Sequence, residues 1–355
     1  MRVSYILPIR WTDDDAFAEL TAYLRGLPLG VELIVIDGSP EPLFAGHAEA
    51  WAPLGRHLRP DPALETVMGK VGGVLTGVRE ASHEPVVIAD DDVRYDERSL
   101  IRAVGLLGLA DCVRPQNYFD PAPWHALWDT GRILLNRALG ADFPGTLAVR
   151  RSTLLRTGGY DGDVIFENLE LIRTIRAAGG TVLSPLDLYV PRRPPSASHF
   201  LSQRVRQAYD DFAIPGRMAA WLAVVPGMAL AARRREWRPP AALAAGIIAL
   251  AEIGRQRAGG RRVFPAVASL CAPLWVLERG VCSWLAVRER LARGGVPYGG
   301  GVVPRAASSK RRLRRRFAER NRPAEGNGLA SGGPESDQLV GAVAERLTTR
   351  RPTAA

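Results

Sequence analysis

The stretch VVIADDDVRYD, Val86–Asp96, runs a short apolar segment into three consecutive carboxylates. Pro85–Ala89 is uncharged and rich in β-branched residues, the composition of a buried strand. Alternate residues at a strand end share a side, so Asp90 and Asp92 project together while Asp91 points away. Two carboxylates so placed make a hard oxygen site for Mg²⁺ or Mn²⁺, whose shell is completed by water and phosphate oxygens. A solvated acidic turn has the same composition, so the triplet alone leaves both readings open.

Outward from this segment, short apolar runs alternate with helix-period stretches. Val3–Leu7 and Val31–Ile36 read as buried strands, Arg56–Arg59 as a weaker one and Gly145–Val149 as another. Helical spacing covers Asp13–Leu27, Gly73–Ala81, Ser99–Leu109, Arg151–Arg156 and Glu167–Ala178, the last ending at Gly179-Gly180. Strands separated by such helices predict an α/β domain, a mainly parallel sheet covered on both faces. Ligands of such sheets sit at the carboxyl ends of the strands, where Asp37 and Asp90–Asp92 fall. The opening MRVSYILPIRW reads as the first strand and not as a cleavable leader, because Pro8 and Arg10 interrupt its short apolar run.

Two further pieces belong to the same end of that sheet. Asp37-Gly38-Ser39 closes the second strand and puts a carboxylate where a base or ribose would lie, although Asp-Gly is also a common turn. GKVGGVLTG sets Lys70 among Gly69, Gly72, Gly73 and Gly77, and Lys70 is one of two lysines beside 45 arginines. Glycines near a lysine suit close backbone approach to a diphosphate, and a helix-capping loop is the alternative. The order of a Walker A loop is absent.

Together these residues resemble the family 2 glycosyltransferases, which have the GT-A nucleotide-sugar-binding fold. The likeness runs over about residues 1–210: Pro8 near the end of the first strand, Asp37-Gly38-Ser39, Gly69-Lys70 with Gly77, then Asp90-Asp91-Asp92. Farther on, Gly158-Gly159-Tyr160-Asp161 and Glu167-Asn168-Leu169-Glu170 look like the acceptor-side segment of the family. Gln203 and Arg206 match its Gln-x-x-Arg-Trp motif. The resemblance implies an inverting transfer from a nucleotide diphosphate sugar, with Asp90 and Asp92 holding a divalent cation. Pro8, Asp37, Lys70, Asp90 and Gln203 would bind the donor, and Arg206 would stabilise the leaving diphosphate.

Two positions depart from the family pattern. Asn168 stands where the family carries its catalytic aspartate, which moves the base role to Glu167, with Glu170 one helical turn on. An acid favoured at a helix N-terminus is the alternative reading of Glu167. Gln207 replaces the motif's tryptophan. His199 is either a third metal ligand or a packing histidine. Tyr118, Phe119, Trp124 and Trp128 either line an acceptor groove or fill a core.

The whole chain has 355 residues, 46% hydrophobic and 24% charged, which excludes wholesale disorder. Its three cysteines, Cys112, Cys271 and Cys282, lack the spacing of a zinc site or a disulfide scaffold. The net charge of +10 is unevenly spread. Residues 1–200 hold 20 basic against 26 acidic side chains, and residues 201–355 hold 27 against 11. Beyond residue 210 the segments Met218–Ala232, Pro239–Gly254 and Val263–Val287 are apolar and edged by arginines, including Arg233–Arg235, Arg238, Arg261 and Arg262. With no zinc-finger, helix-turn-helix or ribonucleoprotein pattern, this excludes nucleic acid and favours a membrane surface. The 15 uncharged residues of Met218–Ala232 fall short of the roughly 20 a bilayer needs. Interfacial or re-entrant helices therefore fit better than three spans, with a soluble helical subdomain as the alternative.

The expected organisation is a catalytic domain over 1–210, membrane-associated helices over 211–293, and a basic, disordered tail over 294–355, of which 300–355 is expected to be dispensable for turnover on a soluble acceptor. The expected partners are a nucleotide-sugar donor and a lipid or lipid-linked glycan acceptor at the cytoplasmic face of a membrane. A membrane-bound scaffold that binds donor without cleaving it is the alternative that Asn168 and Gln207 keep open. A sugar nucleotidyltransferase fits less well, because Arg10-Trp11-Thr12-Asp13 is not its Gly-rich signature.

Overall fold

The computed structural model describes residues 1–299 and 301–320. The chain starts with β1 (Val3–Ile9), α1 (Phe17–Arg25), β2 (Val31–Asp37), α2 (Glu41–Trp51) and β3 (Arg56–Leu58). α3 (Gly69–Glu80), β4 (Pro85–Ala89) and α4 (Glu97–Leu106) follow, the last capped by Asp96, which accepts from Ser99 N at 2.7 Å. Next come β5 (Cys112–Val113), β6 (Gln116–Phe119), α5 (Trp124–Leu139), β7 (Thr146–Arg150), α6 (Arg151–Thr157) and α7 (Glu167–Ala177). β8 (Val182–Leu183), β9 (Tyr189–Arg192), α8 (Ala197–Ser202) and α9 (Arg204–Tyr209) complete this part.

Seven strands form one sheet in the order β3-β2-β1-β4-β7-β5-β8. β3, β2, β1 and β4 are mutually parallel, β7 runs antiparallel to both its neighbours, and β8 is parallel to β5. Alternation along the strands divides the core in two. Ile6, Ile34, Ile36, Val86 and Ile88 face α3 and α7, while Tyr5, Leu7, Leu33, Val35 and Val87 face α1 and α4. This is the mainly parallel α/β architecture the sequence predicts. The chain leaves β1 toward β2 and β3, then returns past it to β4. That reversal opens a crevice at the carboxyl ends of β1 and β4. Ile88 pairs with Ile6, so Asp90 leaves the sheet level with Pro8.

Two glycines of α3 have a packing role that the sequence did not announce. A Cβ on Gly77 would lie 2.4 Å from Ile6 Cγ2, and one on Gly73 would lie 3.1 Å from Pro8 Cβ. These two glycines let α3 lie down on β1. The start of α3 reaches the crevice, which Gly69, Lys70, Gly72 and Gly73 all line.

α11 (Arg238–Gln256) and α12 (Val267–Arg293) pack on α5 around Ile133, Leu134, Phe264, Ala272 and Trp275, and α10 (Pro215–Arg234) packs on α12. Buried Arg137 of α5 ties this layer to the sheet domain. It donates to Gly254 O at 3.2 Å, Arg257 O at 2.8 Å and Tyr189 Oη at 2.8 Å. Of the two readings of these aromatics, Tyr118, Phe119 and Trp128 take the packing one, against this third core, whereas Trp124 is 55% exposed, and none of the four lines the cleft described below.

The disorder expected from residue 294 is corrected as far as residue 320. β10 (Val296–Tyr298) and β11 (Gly301–Val303) pair as a hairpin, and α13 (Lys310–Arg320) packs on α7 through buried Leu313 and Phe317. Ile165 N and Phe166 N donate to Arg305 O and Ala306 O at 3.0 and 2.9 Å. Ser308 N donates to Glu170 Oε2 at 2.6 Å. The basic run hides this packing because Leu313 and Phe317, one helical turn apart, are its only buried apolar residues and the positions between them are arginines. The remainder of the expected tail, 321–355, lies outside the described residues.

Candidate active site

The crevice deepens into a cleft of about 1380 Å³ lined by the ends of β1 and β4, the N-termini of α3 and α7, and residues of α9, α10 and α12. Two helix N-termini of eleven residues or more aimed at one space favour an anion there.

Asp90, Asp91 and Asp92 leave β4 in a tight turn. Asp91 turns aside to accept from Trp11 Nε1 at 2.5 Å. Lys70 Nζ lies 2.5 Å from Asp90 Oδ1 and 2.7 Å from Glu167 Oε1. Burial opposes the charge on Lys70, but Asp90 and Glu167 outweigh it and raise the ammonium's pKa. Arg192 of β9 donates through Nε to Asp92 Oδ2 at 2.9 Å. Burial pushes the Asp92 carboxyl up to about 6, Arg192 pulls it down, and Asp90 and Asp91 add to the rise.

These residues fit a divalent cation. Asp92 Oδ1 is shut away from solvent without a hydrogen-bond partner. Gly145 stands where a Cβ would come within 2.5 Å of Asp90 Oδ2, so only glycine leaves that oxygen its space. Two carboxylates converging on one space, opposed by Lys70 and Arg192, match the donor set of Mg²⁺ or Mn²⁺.

Beyond the carboxylates the cleft is walled by α7 and the helices after it. Glu167 is the first residue of α7, and Asn168 Nδ2 donates to Pro144 O at 3.0 Å, fixing the loop that carries Gly145. Arg206 of α9 faces the cleft with its guanidinium carbon 5.5 Å from the Tyr298 ring centroid and a buried, unpartnered Nε. Asp210 follows it, with Oδ1 also buried and unpartnered. Burial pushes the Asp210 carboxyl up to about 7, Arg206 lowers it, and Asp211 and Glu167 raise it. Arg132 of α5, Arg217 of α10 and Arg279 of α12 complete this end. Asp211 lies 3.1 Å from Arg217 and 3.6 Å from Arg279.

Of the residues read from sequence, Pro8, Lys70, Asp90, Asp92, Glu167 and Arg206 line one cleft, and exposed His199 lies at its rim. Asp37 does not. It is fully buried, and its Oδ2 lies 2.6 Å from His47 Nδ1 and 3.0 Å from His57 Nε2. Burial works against its charge, yet hydrogen bonds from His57, Ser39 and His47 hold the carboxyl well below its usual range. The donor atoms of Asp37, His47 and His57 all lie within 4.8 Å of one another. Hydrogen bonding accounts for that arrangement, with Asp14 Oδ1 2.9 Å from His47 Nε2. Gln203 also lies outside the cleft, and its neighbour Gln207 lines it instead. Glu170 is fully buried under Ser308 and faces away from the reacting volume. The sequence missed Arg192, Arg132, Asp210, Arg279 and Tyr298. Asp210 follows the Gln-x-x-Arg stretch closely enough to have been noticed, whereas Arg192 and Arg279 carry no local signal.

No protein-family model matches the sequence, and no curated protein does. Among solved structures, the chain is similar to a mannosyltransferase from Pyrobaculum calidifontis in complex with GDP-Man and Mn²⁺. That likeness has 20% identity and a TM-score of 0.47 over 80% of this chain and 87% of the other. The chain is also similar to glucosyl-3-phosphoglycerate synthase from Mycobacterium tuberculosis in complex with Mn²⁺, UDP and glucosyl-3-phosphoglycerate. There the identity is 17% and the TM-score 0.40, over 56% of this chain and 74% of the other. A third similar structure is S. aureus TarS, at 14% identity and a TM-score of 0.40, over 59% and 64% of the two chains.

Proposed function

We propose that this chain is an inverting, metal-dependent glycosyltransferase. It moves a sugar from a nucleotide diphosphate sugar to a hydroxyl of a lipid or lipid-linked glycan at the cytoplasmic face of a membrane. One observation carries the reading: Asp90 and Asp92, with the orphaned Asp92 Oδ1, sit at the sheet's switch point between two helix N-termini.

Asp90 and Asp92 would hold Mg²⁺ or Mn²⁺, which when bound supplies Lewis-acid neutralisation of the leaving diphosphate. Lys70 and Arg192 neutralise the same carboxylates from the protein side and present N–H donors to phosphate oxygens entering the cleft. Arg206, without an ion-pair partner among the described residues, adds a fixed positive charge where the leaving group gains negative charge. Glu167 is the proposed base that takes the proton of the acceptor hydroxyl. General-base help of this kind is worth about 10²–10⁴-fold. Asp210 is a second reading for that role. Its Oδ1 is unpartnered and its carboxyl is pushed up to about 7, while Lys70 sits on Glu167 Oε1.

The test is release of nucleoside diphosphate from a panel of sugar nucleotides, uridine and guanosine forms included. It is run with and without Mn²⁺ in the presence of membrane lipid extract. Metal-dependent release from one donor identifies the transferase and its sugar. Donor binding without release from any member of the panel favours the scaffold that Asn168 and Gln207 allow.

A further inference from the structure

The inner and outer faces of α12 differ sharply. Inward, Ala268, Ala272, Trp275 and Arg279 pack against the protein. Outward, Val267, Leu270, Leu274, Leu277, Val281 and Trp284 recur at spacings of three and four, each 40% or more exposed. The stripe runs about 26 Å along the helix. On the two helices packed beside α12, Leu243 and Ile253 of α11, at 61% and 55% exposure, and Val225 and Leu230 of α10 are also left uncovered. Between Met218 and Ala232, Ala241 and Ala251, and Val267 and Leu277 there is no charged side chain. Charge resumes at the ends of these segments, with exposed Arg233, Arg234, Arg235, Arg238, Arg261 and Arg262, and Trp237 is 56% exposed among them. Soluble monomers rarely leave so continuous an apolar surface bare.

We infer that this face docks in the plane of an anionic lipid bilayer, without crossing it. An apolar stripe with arginines and tryptophans at its margin is the build of an interfacial helix. Although α12 alone is long and apolar enough to span, its inner face carries Arg279 and Glu278. Glu278 lies 2.7 Å from Arg204 and 3.2 Å from Trp128 Nε1, so lipid cannot surround α12 without unpacking α5 and α9. A second copy of this chain is a poorer occupant, because two such faces would bring their arginine margins together. Arg217 of α10 and Arg279 of α12 also line the cleft, so the helices that meet lipid wall the acceptor end. A lipid acceptor can then keep its chain in the bilayer while its head group reaches the carboxylates. That last step rests on the proposed transferase reading, and the membrane contact does not.

The experiment is flotation of the full chain with phosphatidylcholine vesicles, with and without phosphatidylglycerol, at low and high salt. The wild type should float with the anionic vesicles. Leu270→Glu/Leu277→Glu should lower partitioning by about tenfold or more while melting like the wild type. Leu109→Glu, at a Leu 78% exposed outside the face, should change nothing. Arg233→Ala/Arg234→Ala should reduce the preference for anionic lipid and leave the fold intact, which keeps the idea testable should the double Glu variant fail to fold. Absence of vesicle binding by the wild type overturns the proposal, and so does wild-type binding by the double Glu variant. A vesicle-indifferent dimer that this variant converts to monomer also overturns it, in favour of self-association. Nucleoside diphosphate release on a water-soluble acceptor, measured in parallel, reports separately on the transferase.

Discussion

At Asp92, burial and the neighbouring Asp90 and Asp91 raise the carboxyl to about 6 against the pull of Arg192. A cation must displace that proton, so Mn²⁺ affinity should weaken as pH falls through 6, which calorimetric titration at several pH values measures. Asp92→Asn should abolish metal-dependent nucleotide release, by about 10²-fold or more, with an unchanged circular dichroism spectrum. Full activity in that variant would remove the metal assignment. Asp210 gives a second pH signature. Its folded pKa lies above the usual carboxylate value, so the folded state keeps a proton that the unfolded chain releases between about pH 4 and 7. Stability therefore falls as pH rises through that window, and Asp210→Asn should flatten the fall in melting temperature. If Asp210 is the base, the same variant removes the rise of kcat toward pH 7 and Glu167→Gln does not. If Glu167 is the base, Glu167→Gln lowers kcat with little change in donor affinity.

At the scale of elements, α3 is positioned by what its glycines omit. Gly77→Val would drive a branched side chain into Ile6, a clash of the overpacking kind that costs about 1–3 kcal/mol, and a thermal melt should show it. That α3 is a helix was legible in the sequence. That Gly73 and Gly77 seat it on the strand while its start lines the cleft was not, because a Gly-Lys run fits either use. α7 depends on a partner far along the chain. Glu170 is buried and accepts from Ser308 N, so Ser308→Pro would leave a buried carboxylate oxygen without its donor. The expected loss is about 1–3 kcal/mol in denaturant unfolding. No local signal in Glu167–Ala177 announces this contact, since it comes from 138 residues away.

For the whole molecule, the helices after residue 210 share a core with α5, and the hairpin and α13 hold the segment that carries Glu167. Deleting residues 295–355 should therefore lower both stability and turnover, against the dispensable tail that composition predicts. Unchanged activity on a soluble acceptor would show that the hairpin and α13 are not needed to set α7. The sequence by itself determined β1, β2, β3, β4 and β7, their mainly parallel sheet, and the place of Lys70, Asp90 and Asp92 at one end of it, while the family resemblance added Glu167 and Arg206 and the short strands β5, β6, β8 and β9 went unread. Strand ends and helix starts are local features, written in periodicity and turn residues. Tertiary structure alone decided which polar groups of the right type face the cleft. It enclosed Asp37 between two histidines, turned Glu170 under Ser308, and brought Arg192, Asp210 and Arg279 to the same space. Burial and charge pairing settle those outcomes. Arg192 meets Asp92 and Glu170 meets Ser308 across 100 and 138 positions, and even Asp37, 10 and 20 positions from its two histidines, owes its enclosure to packing that local periodicity does not report.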